Sequence, residues 1–186
     1  MKKAVVFLAE GFEETEALFP VDLMRRAGIE VTLAGIGGEY IESAHHVTVR
    51  ADIVPDSALI GYDCYFCPGG MPGSVNLAQS WLVNESLIRG LNDGAIISAI
   101  CAAPAVVLAP LGLLAGKDAT CYPGCGSYAP EIHFSEEGVI DSGSIVTAKS
   151  AGYAADLALV LISKLVSPSK AEEVRKSIYY RTDSIR

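Results

Sequence analysis

Short runs of consecutive apolar residues alternate along this chain with segments in which apolar residues recur every three or four positions. The runs are rich in Val, Ile and aromatic side chains, a composition that is typical of strands buried on both faces of a sheet. Five such runs predict strands at residues 3–8, 29–34, 64–67, 96–100 and 145–147. Shorter runs predict three additional strands at residues 47–49, 119–121 and 139–140.

Helical spacing follows the first strand. Val21 and Met24 belong to one apolar stripe, which predicts a helix over residues 14–27 with Gly28 as its C-terminal stop. Pro20 is expected in the first turns of that helix, where its missing N–H costs least.

Three further helices are predicted later in the chain. One follows the strand at residues 96–100, with Pro104 suited to its first turn. Another covers residues 153–165. The last begins near residue 167 or 169, where Ser169 and Glu172 have the spacing of a capping box.

Strands and helices that alternate in this way predict a doubly wound α/β fold, in which helices cover both faces of a mostly parallel sheet. We therefore expect a three-layer sandwich. The length of 186 residues fits the usual size of one domain, and no linker or repeat interrupts it, so we expect a single domain over residues 1–186. Hydrophobic residues make up 51% of the chain, which is enough for a filled core and excludes a disordered protein.

The charge balance restricts the partners. The formal net charge is −8, and an acidic domain repels phosphate backbones, so we expect no nucleic-acid partner. The longest apolar stretch, residues 154–166, is interrupted by polar and charged side chains and is shorter than the roughly 20 residues of a membrane span. We therefore expect no membrane partner and a cytoplasmic protein.

Cys101 is the first candidate for chemistry. The chain has five cysteines, an odd number, and in a reducing compartment a distinctive thiol among them is catalytic or redox-active. Cys101 directly follows the strand at residues 96–100 and precedes a predicted helix. Its sulfur is therefore expected on a tight turn, where the N–H groups and the dipole of the helix favour a thiolate. The alternative is an inert thiol in the core.

Two other strand ends would lie at the same edge of such a sheet. Gly69 and Gly70 follow a strand, and the bare N–H groups of such a loop can form an oxyanion hole, although a simple tight turn has the same sequence. Three glutamates open the first helix, namely Glu13, Glu14 and Glu16. Acids there complement the helix dipole. A carboxyl buried against Cys101 would instead have a raised pKa and could act as an acid or base, but spacing does not decide which glutamate this is.

The remaining cysteines form two close pairs. Cys64 and Cys67 are three apart on a strand, so they point to opposite faces and are interpreted as core residues. Cys121 and Cys125 lie in a loop-like stretch and could resolve an oxidised Cys101, although a structural role is favoured. Neither pair has the additional ligands of a zinc site, so we expect no metal. No phosphate-binding glycine motif is present, so we expect no nucleotide cofactor.

Five short motifs occur in order along the chain: Leu8-Ala9-x-Gly11-x-Glu13-Glu14-x-Glu16, Pro20-Val21-Asp22, Met24-Arg25-Arg26-Ala27-Gly28, Cys67-Pro68-Gly69-Gly70 and Ala99-Ile100-Cys101-Ala102-Ala103-Pro104. Together they resemble the ThiJ/PfpI superfamily, in the branch of the Parkinson-linked deglycase DJ-one and its bacterial relatives. The resemblance covers nearly the whole chain. It implies a flavodoxin-like three-layer sandwich and a homodimer.

The resemblance also implies roles for residues of this chain. Cys101 corresponds to the reactive, oxidisable cysteine of the family, and Glu16 to the protonated glutamate that hydrogen-bonds it. The backbone N–H groups of Gly70 and Ala102 correspond to the anion-binding donors.

Three further residues are candidates for a substrate pocket: Tyr122, Gly69 and His45. Tyr122 stands where many members have a histidine, and His45 falls near the position at which some members have an arginine. A Gly-Pro-Gly stretch of the family is replaced here by Ser150-Ala151-Gly152. These departures leave a Cys–His pair without its histidine.

The function implied is a cysteine-dependent glyoxalase or deglycase that needs no cofactor. It would act on methylglyoxal, glyoxal or their adducts and protect against oxidative stress. An alternative is a non-catalytic redox sensor and chaperone that works through oxidation of Cys101. A more distant alternative is a cysteine peptidase or amidotransferase, although Ala102 stands where the peptidase branch has a histidine. For either leading function, we expect Glu16→Gln to alter the Cys101 thiol and Glu13→Gln to leave it unchanged.

Overall fold

The computed structural model describes residues 1–180, which contain ten strands and five α-helices. The strands, numbered in chain order, are β1 (Lys3–Ala9), β2 (Glu30–Ile36), β3 (Tyr40–Glu42), β4 (Thr48–Arg50), β5 (Cys64–Cys67), β6 (Ile96–Ile100), β7 (Ala119–Thr120), β8 (Phe134–Ser135), β9 (Val139–Ser142) and β10 (Ile145–Ala148). The helices are α1 (Glu14–Arg26), α2 (Gly73–Gln79), α3 (Trp81–Asn92), α4 (Ala154–Leu165) and α5 (Pro168–Ser177).

Six strands form the central sheet in the order β2-β1-β5-β6-β10-β9. All neighbouring pairs are parallel except β10 with β9, so the prediction of a mostly parallel sheet is confirmed. Two small sheets lie outside it, in which β3 pairs with β4 and β7 pairs with β8. The five main predicted strands all belong to the central sheet; two have the predicted bounds, and the other three differ by one or two residues at an end.

Helices cover both faces of this sheet. Side chains alternate along β1, so that Val6 joins one apolar core with α1, α4 and α5, whereas Val5 joins a second core with α2, α3 and the helical segment after β6. The result is the three-layer, flavodoxin-like α/β sandwich that was expected. Within residues 1–180, no helix is both long enough and apolar enough to cross a bilayer.

The ends of α1 follow from its sequence. The Glu13 side chain accepts a hydrogen bond from the Glu16 N–H at 2.7 Å and so caps the first turn. Gly28 ends the helix with φ +81°, a left-handed conformation in which glycine is favoured, as predicted. Pro20, however, lies in the middle of α1 and not in its first turns. Its buried position, decided by packing, outweighs the local cost of the missing N–H.

Two local expectations need correction. The segment after β6 is a π-helical turn, Pro104–Leu108, followed by a 3₁₀ turn, Ala109–Leu111, and not an ordinary α-helix; Pro104 does occupy its first position. The cap of α5 is Ser167, whose hydroxyl accepts from the Lys170 N–H at 3.1 Å. The capping box at Ser169 is therefore wrong, because Pro168 already occupies the first turn.

Helices α2 and α3 were not predicted at all. The signal for α3 was present, since the Ser80 side chain caps the helix through the Val83 N–H, and Leu82, Val83 and Leu87 are buried along one side. Gly90 weakens the pattern locally. The structure explains why glycine occupies this position, because a Cβ at Gly90 would lie 2.4 Å from the Tyr65 ring.

Candidate active site

Three loops meet at the carboxyl ends of the adjacent parallel strands β1, β5 and β6. The Glu13 N–H, after β1, donates to the Gly69 carbonyl after β5 at 3.0 Å. The Gly73 N–H donates to the Gly11 carbonyl at 3.2 Å. Cys101 comes directly after β6 at the same edge. The convergence expected from the sequence is therefore present, at the place where open α/β sheets bind ligands.

Cys101 is held in a backbone conformation that is unfavourable for a residue with a side chain. Its φ is +64°, in the left-handed region, which costs of the order of 1–3 kcal/mol for a non-glycine residue. Two hydrogen bonds hold the turn: the Cys101 N–H donates to the Ala148 carbonyl at 2.9 Å, and the Cys101 carbonyl accepts from the Tyr122 N–H at 2.8 Å. The sulfur-bearing side chain is thereby fixed at the strand end and stays partly exposed.

The structure selects Glu16 from the three glutamates. Its side chain is 2% exposed and shares a hydrogen bond with the Cys101 thiol. Oε2 of Glu16 also accepts from the Gly69 N–H at 3.1 Å. Burial and, to a smaller extent, the negative charge of Glu13 raise the pKa of Glu16 to about 7, against the lowering effect of its hydrogen bonds. Glu16 can therefore hold or release a proton at neutral pH.

The sulfur environment differs from the expected thiolate site. The backbone N–H groups of Gly70 and Ala102 donate to the Cys101 sulfur and lower its pKa, as the family resemblance implied. Burial and the negative charge of Glu16 have the larger effect and raise the pKa of Cys101 to about 12. Two negative charges side by side are thus disfavoured. As the pH rises through about 7, the pair goes from two protons to one proton and one negative charge.

Glycine is required at both positions of the loop after β5. A Cβ at Gly69 would lie 2.4 Å from Oε2 of Glu16 and 2.5 Å from the Cβ of Cys101. Gly70 has φ +91°, and a Cβ there would lie 2.5 Å from the Glu13 nitrogen. The loop therefore approaches the Cys101–Glu16 pair so closely that any side chain would displace it.

Two of the candidate pocket residues, Tyr122 and His45, are not part of the hydrogen-bonded group around Cys101 and Glu16. Tyr122 contacts Cys101 through its backbone, but its half-exposed side chain lines a separate cavity of about 250 Å³ together with Glu136 and Lys149. Nδ1 of His45 lies 3.0 Å from Oε1 of Glu14. Among residues 1–180, neither side chain makes a hydrogen bond to Cys101 or Glu16. Gly69, in contrast, contributes its N–H directly to Glu16.

Sequence reasoning missed two features near the site. The Ala151 N–H hydrogen-bonds the Glu16 carboxyl, so the Ser150-Ala151-Gly152 segment does contribute to the site. Glu13, Glu14 and His45 each place one potential metal-ligand atom within 4.8 Å of the others, a grouping that no spacing rule indicated. One oxygen of Glu13 is already engaged by the Glu16 N–H and the Thr15 hydroxyl.

The other cysteines separate into two groups. Cys64 and Cys67 are fully buried in opposite cores, which confirms that they are core residues, and burial raises the pKa of both. Cys121 is buried near Glu136 and Lys149. Cys125 is partly exposed, and burial, followed by the negative charge of Glu16, raises the pKa of its thiol.

Comparison with known proteins agrees with this geometry. Residues 2–164 match the profile of the DJ-1/PfpI family. Protein dj-1beta of Drosophila melanogaster is 36% identical over 188 residues, which cover 95% of this chain and 96% of that protein. The glutathione-independent glyoxalase DJR-1.2 of Caenorhabditis elegans is 32% identical over 185 residues, with 95% and 96% covered.

Solved structures show the same relationship. The oxidized DJ-1 of Toxoplasma gondii superposes with a TM-score of 0.89 at 35% sequence identity, over 97% of this chain and 99% of that one. Drosophila melanogaster DJ-1beta gives a TM-score of 0.89 at 34% identity, over 97% and 98%. Sequence, fold and the position of the strand-end cysteine therefore lead to one conclusion: the chain belongs to the DJ-1/PfpI family.

Proposed function

We propose that this protein is a cofactor-independent glyoxalase or deglycase that acts on methylglyoxal, glyoxal or their adducts through Cys101. The observation that carries the proposal is the hydrogen-bonded pair of Cys101 and Glu16, with the N–H groups of Gly70 and Ala102 directed at the sulfur. A nucleophile (Cys101), a proton carrier (Glu16) and a pair of anion-binding N–H groups thus contact one another.

Attack on the aldehyde begins with one proton transfer. Glu16 takes the proton of the Cys101 thiol while the sulfur adds to the aldehyde carbon and forms a hemithioacetal. The pKa of about 7 suits Glu16 to this task, because a general base works best when its pKa is near the operating pH. A free thiolate is unfavourable here, because the pKa of the Cys101 thiol is about 12. The concerted proton transfer means that it is not required as a separate species.

The developing alkoxide needs hydrogen-bond donors. The N–H groups of Gly70 and Ala102 lower the pKa of the Cys101 thiol, which means that they stabilise negative charge as it develops on the sulfur. As the sulfur adds to the aldehyde, that charge moves to the oxygen of the new hemithioacetal, within reach of the same fixed donors. Donors that are already oriented cost no reorganisation during the reaction, which is the basis of an oxyanion hole.

The product follows by internal rearrangement. Glu16 first gives the thiol proton to the new alkoxide oxygen and becomes a base again. It then removes the proton from the hemithioacetal carbon and passes it to the neighbouring carbonyl oxygen, so that an enediol forms. The hydroxyl proton on the sulfur-bearing carbon then moves to the neighbouring carbon, which leaves a thioester on Cys101. Water cleaves the thioester and releases lactate from methylglyoxal or glycolate from glyoxal, which restores the thiol. The oxidation of one carbon is balanced by the reduction of its neighbour, so these reaction steps need no redox cofactor.

The relatives support the proposal at the level of the family. The Caenorhabditis elegans relative is named a glutathione-independent glyoxalase, and it is similar to this chain along almost its whole length. The extension of that activity to this chain, its role in oxidative stress and its assembly as a homodimer belong to the proposal.

The direct test is lactate formation from methylglyoxal in the absence of glutathione. The purified protein should form lactate, and Cys101→Ser should abolish this with little change in the thermal unfolding midpoint. Cys121→Ser is the matched control, because its sulfur lies near Glu136 and Lys149 and should be dispensable. If the wild-type protein forms no lactate while hydroperoxide adds two oxygens selectively to Cys101, redox sensing replaces turnover as the proposed function.

A further inference from the structure

Cys125 is tied to Cys101 through the backbone. The Tyr122 N–H donates to the Cys101 carbonyl at 2.8 Å, and the Cys125 N–H donates to the Tyr122 carbonyl at 3.0 Å. The 3₁₀ turn Cys125–Tyr128 packs against the π-helical turn that follows Cys101. Two hydrogen bonds and one packing contact thus place the two cysteines on adjoining segments.

The Cys125 thiol lies close enough to Glu16 to be affected by its charge. Tyr122, Gly124 and Gly126 line the cavity of about 250 Å³, and Cys125 is not among its lining residues. The charge of Glu16 acts on the thiols of both Cys101 and Cys125. Both thiols therefore lie within range of the charge of the same carboxyl.

The other thiols are poorly placed to reach Cys101. Cys64 and Cys67 are 0% exposed and lie within the cores on β5. Cys121 is buried, and its sulfur contacts the Tyr122 carbonyl at 3.5 Å. Only Cys101 and Cys125 among the five are partly exposed.

The backbone around Cys125 permits a small adjustment. Gly124 has φ +90°, and a Cβ there would meet nothing within 4 Å, whereas Gly126 would meet only the edge of Phe134 at 3.4 Å. Glycine on both sides gives the loop conformational freedom. Such freedom lets the loop bring Cys125 to the distance that a disulfide requires, with Cα atoms about 4.4–6.8 Å apart.

We propose that Cys125 is the resolving thiol for an oxidised Cys101, so that limiting hydroperoxide converts these two residues into an intramolecular disulfide. The inference needs a Cys101 that peroxide can oxidise. It does not rest on the proposed turnover of aldehydes, and each can fail without the other.

The chemistry balances with a hydroperoxide as oxidant. The Cys101 sulfur attacks one peroxide oxygen, the O–O bond breaks, and the thiol proton goes to the departing hydroxide, so that sulfenic acid and water form when the oxidant is hydrogen peroxide. The Cys125 sulfur then attacks the sulfenic sulfur, the S–O bond breaks, and the oxygen leaves as water with the Cys125 proton. A dithiol reductant restores both thiols.

The test is peptide mapping by mass spectrometry under non-reducing conditions. The reduced full-length protein is treated with one equivalent of hydrogen peroxide, and free thiols are then alkylated. We expect a peptide that links Cys101 to Cys125 in the wild type and in Cys121→Ser. In Cys125→Ser we expect the link to be absent and the sulfinic acid of Cys101 to accumulate several-fold more at the same dose.

Cys125→Ala serves as a second variant, and circular dichroism verifies that each variant is folded. Three results would overturn the inference: equal sulfinic acid yields in the wild type and both Cys125 variants, a link between Cys121 and Cys125 in place of the expected one, or cross-links only between two chains. Methylglyoxal turnover by Cys125→Ser, measured in parallel, shows whether the glyoxalase proposal stands independently.

Discussion

The backbone N–H of Gly69 donates to Oε2 of Glu16 at 3.1 Å, across 53 positions of sequence. This bond connects the loop after β5 to the first turn of α1. It fixes the orientation of a buried carboxyl whose other neighbours are Cys101 and the Ala151 N–H. Because four chain segments meet at this carboxyl, a change in any of them should be detectable in the titration of Glu16.

The first prediction concerns the pH dependence of Cys101 chemistry. Glu16 loses its proton as the pH rises through about 7, and only then can it accept the thiol proton. The kcat/KM for methylglyoxal should therefore rise with pH and level off above about 7. Glu16→Gln should remove this dependence and lower kcat/KM by roughly 10²–10⁴-fold, the usual contribution of a general base. A rise near pH 7 that persists in Glu16→Gln would show that another group titrates.

Glu13→Gln is a second, milder test of the same pair. The negative charge of Glu13 raises the pKa of Glu16, so its removal should move the rise in kcat/KM to lower pH. The glutamine oxygen can still cap α1 through the Glu16 N–H. This outcome replaces the expectation from the sequence that Glu13→Gln has no effect. A profile identical to that of the wild type would contradict the inferred charge coupling.

The third prediction concerns stability. The native protein keeps the Glu16 proton up to about pH 7, whereas an unperturbed glutamate releases it near 4.5. The native state thus binds more protons between these values, so the free energy of unfolding should fall as the pH rises from 4.5 to 7. At about 1.4 kcal/mol per pKa unit, the loss is of the order of 3 kcal/mol. Urea unfolding should find Glu16→Gln more stable than the wild type at pH 8 and similar to it at pH 5.

The fourth prediction is that Gly69→Ala disrupts catalysis because the new methyl group displaces Glu16 or Cys101. The new methyl group would meet Oε2 of Glu16 at 2.4 Å and the Cβ of Cys101 at 2.5 Å, so one of them must move. A displacement of about 1 Å in a reacting group can cost about 10²-fold in rate, and we expect a loss of that size in kcat/KM. Gly38→Ala is the control, because its nearest new contact is 3.8 Å away. Activity equal to that of the control would contradict the close approach.

The fifth prediction tests what supports the segment of Tyr122 and Cys125. The Thr147 hydroxyl on β10 accepts from the Thr120 N–H on β7 at 2.9 Å, and both residues are fully buried. Thr147→Val leaves that N–H without a partner and should lower the free energy of unfolding by about 1–3 kcal/mol, as measured by urea denaturation. Thr147→Ser retains the acceptor and should lose less. Equal losses in the two variants would indicate a packing effect.

The central strands and the first helix could be predicted from the sequence because their signals are local. Consecutive apolar residues define β1, β5 and β6, and Gly28 marks the end of α1 through its own backbone preference. Predictions failed where packing overrides local preference. Pro20 lies in the middle of a helix because it is buried there, and Gly90 lies inside α3 because the Tyr65 ring leaves no space for a side chain.

The sequence by itself determined which residue types stand at the strand ends: a cysteine after β6, two glycines after β5 and three glutamates at the start of α1. Only the tertiary structure decided which glutamate is buried, that its pKa is near 7, and that its charge reaches Cys125. The physical reason is that burial and charge interactions depend on distances between segments far apart in the chain. A local pattern specifies a residue and its element, but it does not specify what surrounds that residue in the folded protein.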